Sequence, residues 1–291
     1  MTTTMTTTVS GADGDGALRA HKTWRTLEPL HGMIYFVPEG AEAYARLGVT
    51  GRSGYFASRA APMGAVGADV VIATFFNFNP ELVRAAIPQA WDVATPRDLL
   101  SARFAAVDAA SRRILGDAVV ASPEMARAAE LAGIAAEEAT RHMQGRPLAA
   151  AHAELEWPTE PHLRLWHAQS ILREFRGDGH IALLVVQGLS GLEALVTHAA
   201  AGEVPAPILR ASRAWSDEAW LAAADGLRAR GWLEPGDELR FTASGTQRRK
   251  EIEDGTDALA AAPYAVLGEE RCAELRALVR PWSKLFTEHL R

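Results

Sequence analysis

Residues 216–246 read SDEAWLAAADGLRARGWLEPGDELRFTASGT, and this stretch decides the predicted fold. Ser216 is a preferred N-cap and two acidic residues follow it, which together predict a helix to about residue 230. Residues 231–242 predict strand, turn and strand, because the Pro-Gly-Asp sequence at 235–237 is typical of a turn. The next helix is expected to begin at Thr242. The stretch therefore predicts a helix, a short β-hairpin and a second helix.

The order of these elements resembles the MarR-type winged helix. In that pattern a recognition helix ends in Leu-x-x-x-Gly and two apolar residues, a β-wing follows, and Thr-x-x-Gly opens a long helix. The similarity covers about residues 160–265, and it implies a DNA-binding fold. The matching residues are Leu227, Gly231, Trp232, Leu233, Phe241, Thr242 and Gly245.

The whole chain also resembles a group of helical, winged-helix proteins from actinobacteria. This second resemblance implies a fold and no particular reaction. The stretches that carry it are LHGMIYF at 30–36, GYFASRAAPMG at 54–64, FFNFNP at 75–80 and LREFRGDGH at 172–180.

Upstream of the quoted stretch, the pattern is that of a helical domain. Alanine-rich segments begin at Asn79-Pro80, Thr95-Pro96 and Ser122-Pro123, which are good helix starts. The apolar run Asp69–Phe78 suits a strand or a helix, and helix is favoured because no partner strands lie nearby in the sequence. We therefore predict a mainly α protein in three parts. These are a disordered tail at 1–16, an α-helical domain at 17–160, and a MarR-like winged-helix domain with a small β-wing and C-terminal helices at 161–291.

The bulk composition is that of a folded globular protein. The chain has 291 residues, 48% hydrophobic residues and a formal net charge of −6, so a sizeable core is expected. Proteins dedicated to nucleic acids usually carry net positive charge, so the acidic balance disfavours DNA binding. Cys272 is the single cysteine, and neither a signal peptide nor a long apolar span is apparent. We therefore predict a cytoplasmic protein without membrane partners.

The predicted recognition helix is poorly suited to reading DNA. It carries three carboxylates, Asp217, Glu218 and Asp225, against two arginines, a sum of −1. A recognition helix needs basic or amide side chains toward the major groove. We therefore expect this module to pack against other elements or to bind a ligand, while DNA binding stays open as an alternative.

The stretch from Arg173 to His180 is the most site-like part of the sequence. Its two glycines predict a sharp turn between helices, which would place Asp178 and His180 near a helix start, where anions are favoured. Arg173 and Arg176 would bind a ligand carboxylate, and His180 would donate or accept a hydrogen bond. The competing interpretation is structural, with Asp178 as a helix cap and both arginines paired to acidic neighbours.

Aromatic residues predict an apolar pocket with polar groups between the two domains. Core packing is the alternative for these residues. Arg59 lies in an apolar segment, so a buried Arg59 needs a carboxylate partner from the protein or from a ligand. The predicted lining consists of Phe75, Phe76, Asn77, Phe78, Asn79, Trp166, Tyr35 and Tyr55.

The histidines do not predict a metal site. Six of the nine fall between residues 142 and 198. However, His162 and His167 are five residues apart rather than three or four, so they do not share one helical face. No cofactor is required by the sequence. Haem binding through one histidine, such as His31, His167 or His180, stays open.

These patterns together predict a small-molecule-binding winged-helix protein, acting as a ligand-responsive transcriptional regulator with a degenerate DNA-reading helix. The alternative is a cytosolic enzyme of unknown reaction that uses the interdomain pocket, with His180 or His31 as general base and Asp178 orienting it. A structural interaction module is a third option. The terminal helices could also serve a homodimer.

Overall fold

The computed structural model describes residues 11–289, with side chains from residue 14, and it is 77% helical. The prediction of a mainly α protein is therefore confirmed. Three short 3-10 turns lie at Met33–Tyr35, Ala61–Met63 and Thr140–His142. The helices are α1 Gly11–Gly32, α2 Pro38–Arg46, α3 Gly51–Ala60, α4 Ala68–Phe75, α5 Pro80–Arg84, α6 Ala90–Val93, α7 Pro96–Leu115, α8 Asp117–Val120, α9 Pro123–Ala139, α10 Pro147–Ala153, α11 Pro161–Val186, α12 Gly191–Ala200, α13 Ala206–Arg213, α14 Asp217–Ala229, α15 Ala243–Leu259, α16 Ala262–Ala265 and α17 Gly268–His289.

The helix starts predicted upstream are confirmed, and each has a clear local cause. Asn79 caps α5 by accepting a hydrogen bond from the Glu81 amide. Thr95 and Asp98 form a reciprocal capping box at the start of α7. The ambiguous segment at 69–78 forms α4, as favoured, and ends at Phe75.

The predicted β-wing is wrong. Among residues 11–289 there is no strand, and residues 231–242 contain one isolated antiparallel bridge between Leu233 and Phe241. Pro235 has no amide hydrogen to contribute to a ladder. The Arg240 amide donates to the Glu238 carbonyl within the turn, at 3.1 Å, and is therefore lost to cross-strand pairing. The fold class is corrected to a mainly α-helical protein without a β-wing in this part of the chain.

The predicted turn in the stretch 173–180 is also wrong, because α11 runs through it without interruption from Pro161 to Val186. A glycine inside a helix costs only about 1 kcal/mol, which tertiary packing can offset. Gly179 is buried against Leu259 of α15, and a Cβ atom at this glycine would lie 3.5 Å from the Leu259 Cβ. The glycine thus allows α15 to pack closely on α11.

Three clusters of buried apolar side chains form the interior. The largest joins α1, α7, α9, α11, α16 and α17, and alanines of α9 allow α11 to approach closely. The second cluster lies among the helices from α2 through α7. The third lies among the end of α11 and the helices α12, α13, α14 and α15. The largest cluster draws side chains from both sides of the boundary predicted between residues 160 and 161.

The start of the chain differs in part from the predicted tail. Residues 1–10 of that tail lie outside the described residues, whereas residues 11–16 form the beginning of α1. Within the described part, no single helix has both the length and the apolar character to cross a membrane. Only α11 and α12 taken together pass that test, as a pair bent by 99°.

Candidate functional site

A helix-turn-helix is formed by α13 and α14, supported by α12. Helix α13 ends at Arg213, and the next residue, Ala214, has a φ of 57° in the left-handed region that turns the chain sharply. The Ser216 hydroxyl then caps α14 by accepting a hydrogen bond from the Ala219 amide at 3.2 Å. Leu209 of α13 and Trp220 of α14 are buried in the shared core. The turn between the helices is therefore three residues long and fixed by packing.

The outer face of α14 is acidic and apolar. Asp217, Glu218 and Asp225 are exposed on it, and Leu221 is 59% exposed. The nearby arginines are already paired with carboxylates, and Arg228 forms an ion pair with Asp225 at 2.7 Å. The two remaining pairs are Arg210 with Asp217 at 3.0 Å and Arg230 with Glu193. Carboxylates on this face would repel a phosphate backbone, as the composition of the helix predicts.

The loop after α4 holds the helix-turn-helix in place. The Trp215 indole donates to the Asn77 carbonyl at 3.0 Å, and the Asn79 amide group donates to the Ala214 carbonyl at 2.7 Å. At Gly191, the first residue of α12, an added Cβ would lie 1.9 Å from the Phe76 carbonyl oxygen. Phe76 and Asn77, predicted to line a pocket, therefore anchor this module through their backbone.

Arg59, Tyr35, Phe75 and Arg173, all predicted site residues, do come together in one buried cluster. The Arg59 guanidinium lies 4.2 Å from the centre of the Phe75 ring and 5.4 Å from that of Tyr35. It donates to the Tyr55 hydroxyl at 2.9 Å. These contacts join α3, α4 and the segment that follows α1.

The carboxylate that balances these arginines is Glu174. Arg173 contacts it at 2.8 Å and Arg59 at 3.6 Å, and Arg173 also reaches Glu28 of α1 at 3.0 Å. Burial alone would raise the pKa of Glu174, but Arg173 and then Arg59 outweigh burial and lower that pKa to about 2. Glu174 is therefore ionised across the physiological range.

A chain of hydrogen bonds connects His31 to this cluster. The Ser170 hydroxyl donates to the Trp166 carbonyl at 2.9 Å, which leaves its oxygen to accept from Nδ1 of His31 at 2.9 Å. Nε2 of His31 then accepts from the Tyr35 hydroxyl at 2.9 Å, and that hydroxyl accepts from Arg103 at 3.2 Å. In this arrangement one ring nitrogen of His31 donates and the other accepts a hydrogen bond, which is the pattern of a neutral imidazole. Burial, followed by the charges of Arg173 and Arg103, accordingly holds the pKa of His31 well below its ordinary value.

Arg103 is the residue that gives the cluster its excess charge. It is 1% exposed and donates to two neutral acceptors, the Ser58 carbonyl at 2.8 Å and the Tyr35 hydroxyl. No carboxylate among the described residues lies within ion-pair distance of it. Three guanidinium groups, of Arg59, Arg103 and Arg173, thus face two carboxylates, a sum of +1.

The remaining predicted site residues have separate structural partners. His167 is buried between the rings of Trp157 and Phe104, and burial lowers its pKa to about 4. Arg176 lies over the Trp24 ring at 3.9 Å and pairs with Asp257 at 2.9 Å.

Asp178 and His180 do not form the acid–base pair that the enzyme alternative requires. One carboxylate oxygen of Asp178 accepts hydrogen bonds from the backbone amides of Leu148 and Ala149, at 3.0 Å each. Asp178 therefore caps the start of α10, although it lies about 30 residues away in the sequence. Burial raises the pKa of Asp178 to about 6. Nδ1 of His180 contacts the Thr256 hydroxyl at 2.9 Å, and burial lowers its pKa to about 4. Nothing in this geometry couples the two groups for proton transfer.

Sequence reasoning missed Arg103, Glu28 and Ser170. A signal for Arg103 did exist, because it lies in the buried stripe of α7 with Leu99, Ala106 and Val107. A charged residue at the spacing of a core face needs a partner or a ligand. Glu28 and Ser170 carry no such signal, since both are ordinary polar residues on helices.

No curated protein and no solved structure matches the chain. The sequence profile described as "Helix-turn-helix family" matches residues 20–290, which is nearly the whole chain. This match agrees with the α13–turn–α14 geometry described above. On the evidence of both, the chain belongs to the helix-turn-helix family.

Proposed function

We propose that this protein is a small-molecule-binding member of the helix-turn-helix family, acting as a ligand-responsive regulator. Its ligand is a small anion with an aromatic or apolar body, taken up at the cluster of Arg59, Arg103 and Arg173. The observation that carries the proposal is the buried Arg103 guanidinium, which has hydrogen-bond acceptors but no counter-charge among the described residues.

Desolvation explains why this cluster favours an anion. Burying a charge without a counter-charge is costly, and a carboxylate or similar group placed nearby offsets that cost. Two of the other groups around the cluster cannot supply more positive charge, because His31 is neutral and burial lowers the pKa of His152 to about 3. Rings of Tyr35 and Trp166 lie over the Arg103 guanidinium, at 5.6 and 5.1 Å, and offer an apolar surface.

A continuous set of contacts leads from this cluster to the helix-turn-helix. Arg59 donates to the Tyr55 hydroxyl, the Tyr55 ring packs on Phe78 with centres 5.7 Å apart, and Arg213 of α13 lies 5.1 Å above the Phe78 ring. A ligand that repositions Arg59 would therefore favour one placement of α13 over another, which is how binding shifts a population. The mechanism requires the cluster to open for the ligand.

The proposal is tested by native mass spectrometry of protein purified from its natural host, together with thermal melting in the presence of a panel of aromatic carboxylates and their neutral amides. Benzoate and benzamide form the simplest matched pair. We expect a retained anionic mass, and stabilisation by carboxylates that is weak or absent for the amides. Arg103→Met should abolish that stabilisation, whereas Arg141→Met, at an exposed surface arginine, should retain it. A ligand-free protein that no carboxylate stabilises would contradict the proposal.

DNA binding is a second candidate function, because helix-turn-helix family membership is compatible with a DNA-binding regulator. The acidic outer face of α14 opposes base reading by that helix. If DNA is bound, another positively charged surface has to supply the phosphate contacts.

A further inference from the structure

A surface groove between α1 and α17 concentrates positive charge on an otherwise acidic protein. It has a volume of about 480 Å³, and its floor is closed where Arg276 donates to the Thr23 hydroxyl and Ser283 donates to the Thr26 carbonyl. Every charged residue that lines it is basic. The lining consists of His21, Lys22, Arg25, Thr26, Pro29, Arg276, Arg280, Ser283, Lys284 and Thr287.

Four of these cations are available to a ligand. Lys22, Arg25 and Arg280 are exposed, and none has a carboxylate within ion-pair distance among the described residues. Lys284 is 77% exposed and has only a loose 3.8 Å contact with Glu288. Arg276, by contrast, is buried and paired with Glu269. The groove therefore presents a charge of about +4 on a chain whose formal net charge is −6.

The arrangement of the cations follows from helix geometry. Arg276, Arg280 and Lys284 are each four residues apart on α17 and so form one row, with about 6 Å of rise between neighbours. Lys22 and Arg25 lie on the facing side of α1. The hydroxyl groups of Thr26, Ser283 and Thr287 already donate to backbone carbonyls, so the cations are the donors that the groove offers to a ligand. Lysine and arginine side chains are among the groups that contact nucleic-acid phosphates.

We propose that this groove binds the phosphate backbone of DNA. Family membership makes DNA the relevant polyanion, and the groove carries the positive charge that the outer face of α14 does not. A second copy of the chain is a poor occupant, because two such grooves brought together would repel each other. The contacts reach phosphates and not base edges, so binding through them is independent of sequence. The groove shares no residue with the arginine cluster, and the two proposals can therefore fail separately.

The test is fluorescence anisotropy with a labelled 30-base-pair duplex of mixed sequence, titrated with the full-length protein between 50 and 200 mM monovalent salt. Four phosphate contacts predict a slope of log K against log salt of about −3.6, and hence a roughly 150-fold loss of affinity across this range. The double variant Lys22→Gln/Arg280→Gln retains two contacts. It should bind more weakly at 50 mM and lose only about 12-fold between 50 and 200 mM.

The matched control is Arg141→Gln/Lys250→Gln, which removes two exposed cations outside the groove. It should bind as the wild type does, and circular dichroism verifies that both double variants are folded. Equal affinity and slope for wild type and the groove variant would overturn the proposal, as would equal weakening by the control. Binding of tripolyphosphate without binding of the duplex would also overturn it, because the groove would then serve a small phosphate compound.

Discussion

Replacing Glu174 by glutamine tests whether the buried ion cluster is held together as described. Glu174 is 5% exposed, and its carboxylate contacts Arg173 at 2.8 Å and Arg59 at 3.6 Å. Glutamine keeps the size of the side chain but removes its charge. The change would leave three guanidinium groups, of which that of Arg103 is fully buried, with Glu28 as their single carboxylate.

The size of the effect follows from the pKa of Glu174. Its folded-state pKa of about 2 lies below the ordinary value of 4.5. At 1.36 kcal/mol for each pKa unit, ionised Glu174 contributes about 3 kcal/mol to the free energy of unfolding. Loss of one partner of a buried pair costs a similar amount, about 3–5 kcal/mol. Because the folded-state pKa is depressed, this contribution is complete above pH 4.5 and is lost as pH falls toward 2.

Urea denaturation followed by circular dichroism at pH 7, 5, 4 and 3 measures this effect. Glu174→Gln should be about 3 kcal/mol less stable than the wild type at pH 7, and the difference should shrink steadily below pH 4.5. Glu274→Gln is the matched control, because Glu274 also pairs with an arginine, Arg127, but at the surface; it should change stability little. A glutamine variant as stable as the wild type at pH 7, or a difference that does not vary with pH, would refute the reasoning.

Two further substitutions test local features of the fold by the same urea assay. Asp178→Ala should lower the free energy of unfolding at pH 4 by about 1–3 kcal/mol, because it leaves two buried amides of α10 without an acceptor. Asp178→Asn keeps an acceptor oxygen and should recover most of that loss. Equal stability of the two variants would show that Asp178 does not cap α10. Gly191→Ala should destabilise the protein by at least about 1–3 kcal/mol, since its Cβ would meet the Phe76 carbonyl at 1.9 Å. Gly133→Ala in α9, with nothing within 4 Å of the new Cβ, should instead stabilise the protein by about 0.5–1 kcal/mol. If both glycine variants changed the free energy of unfolding in the same direction, the close approach of Gly191 to the Phe76 carbonyl would be contradicted.

Half of the candidate site could be predicted from residue types alone. Arg59 and Arg173 are charged residues in apolar parts of the sequence. The aromatic residues His31, Tyr35 and Trp166, which carry polar groups, also lie in apolar stretches. These residues contact one another in the interior because buried polar groups need partners. His167, Arg176, Asp178 and His180 belong to the same helix as Arg173. A continuous α11 directs them to different neighbours, whereas the turn predicted between Arg173 and His180 would have brought them together.

The sequence by itself determined the helical class, the starts of α5, α7, α9 and α14, and the acidic face of α14. These features depend on interactions within a few residues, namely capping, helix propensity and the order of charges along one helix. Only the tertiary structure decided that residues 231–242 form one bridge instead of a wing, that α11 continues through two glycines, and that Arg103 is buried without a counter-charge. The last two depend on contacts between residues far apart in the chain, which outweigh local preferences of about 1 kcal/mol. The missing wing follows from the conformation of the turn itself, in which the Arg240 amide bonds to the Glu238 carbonyl.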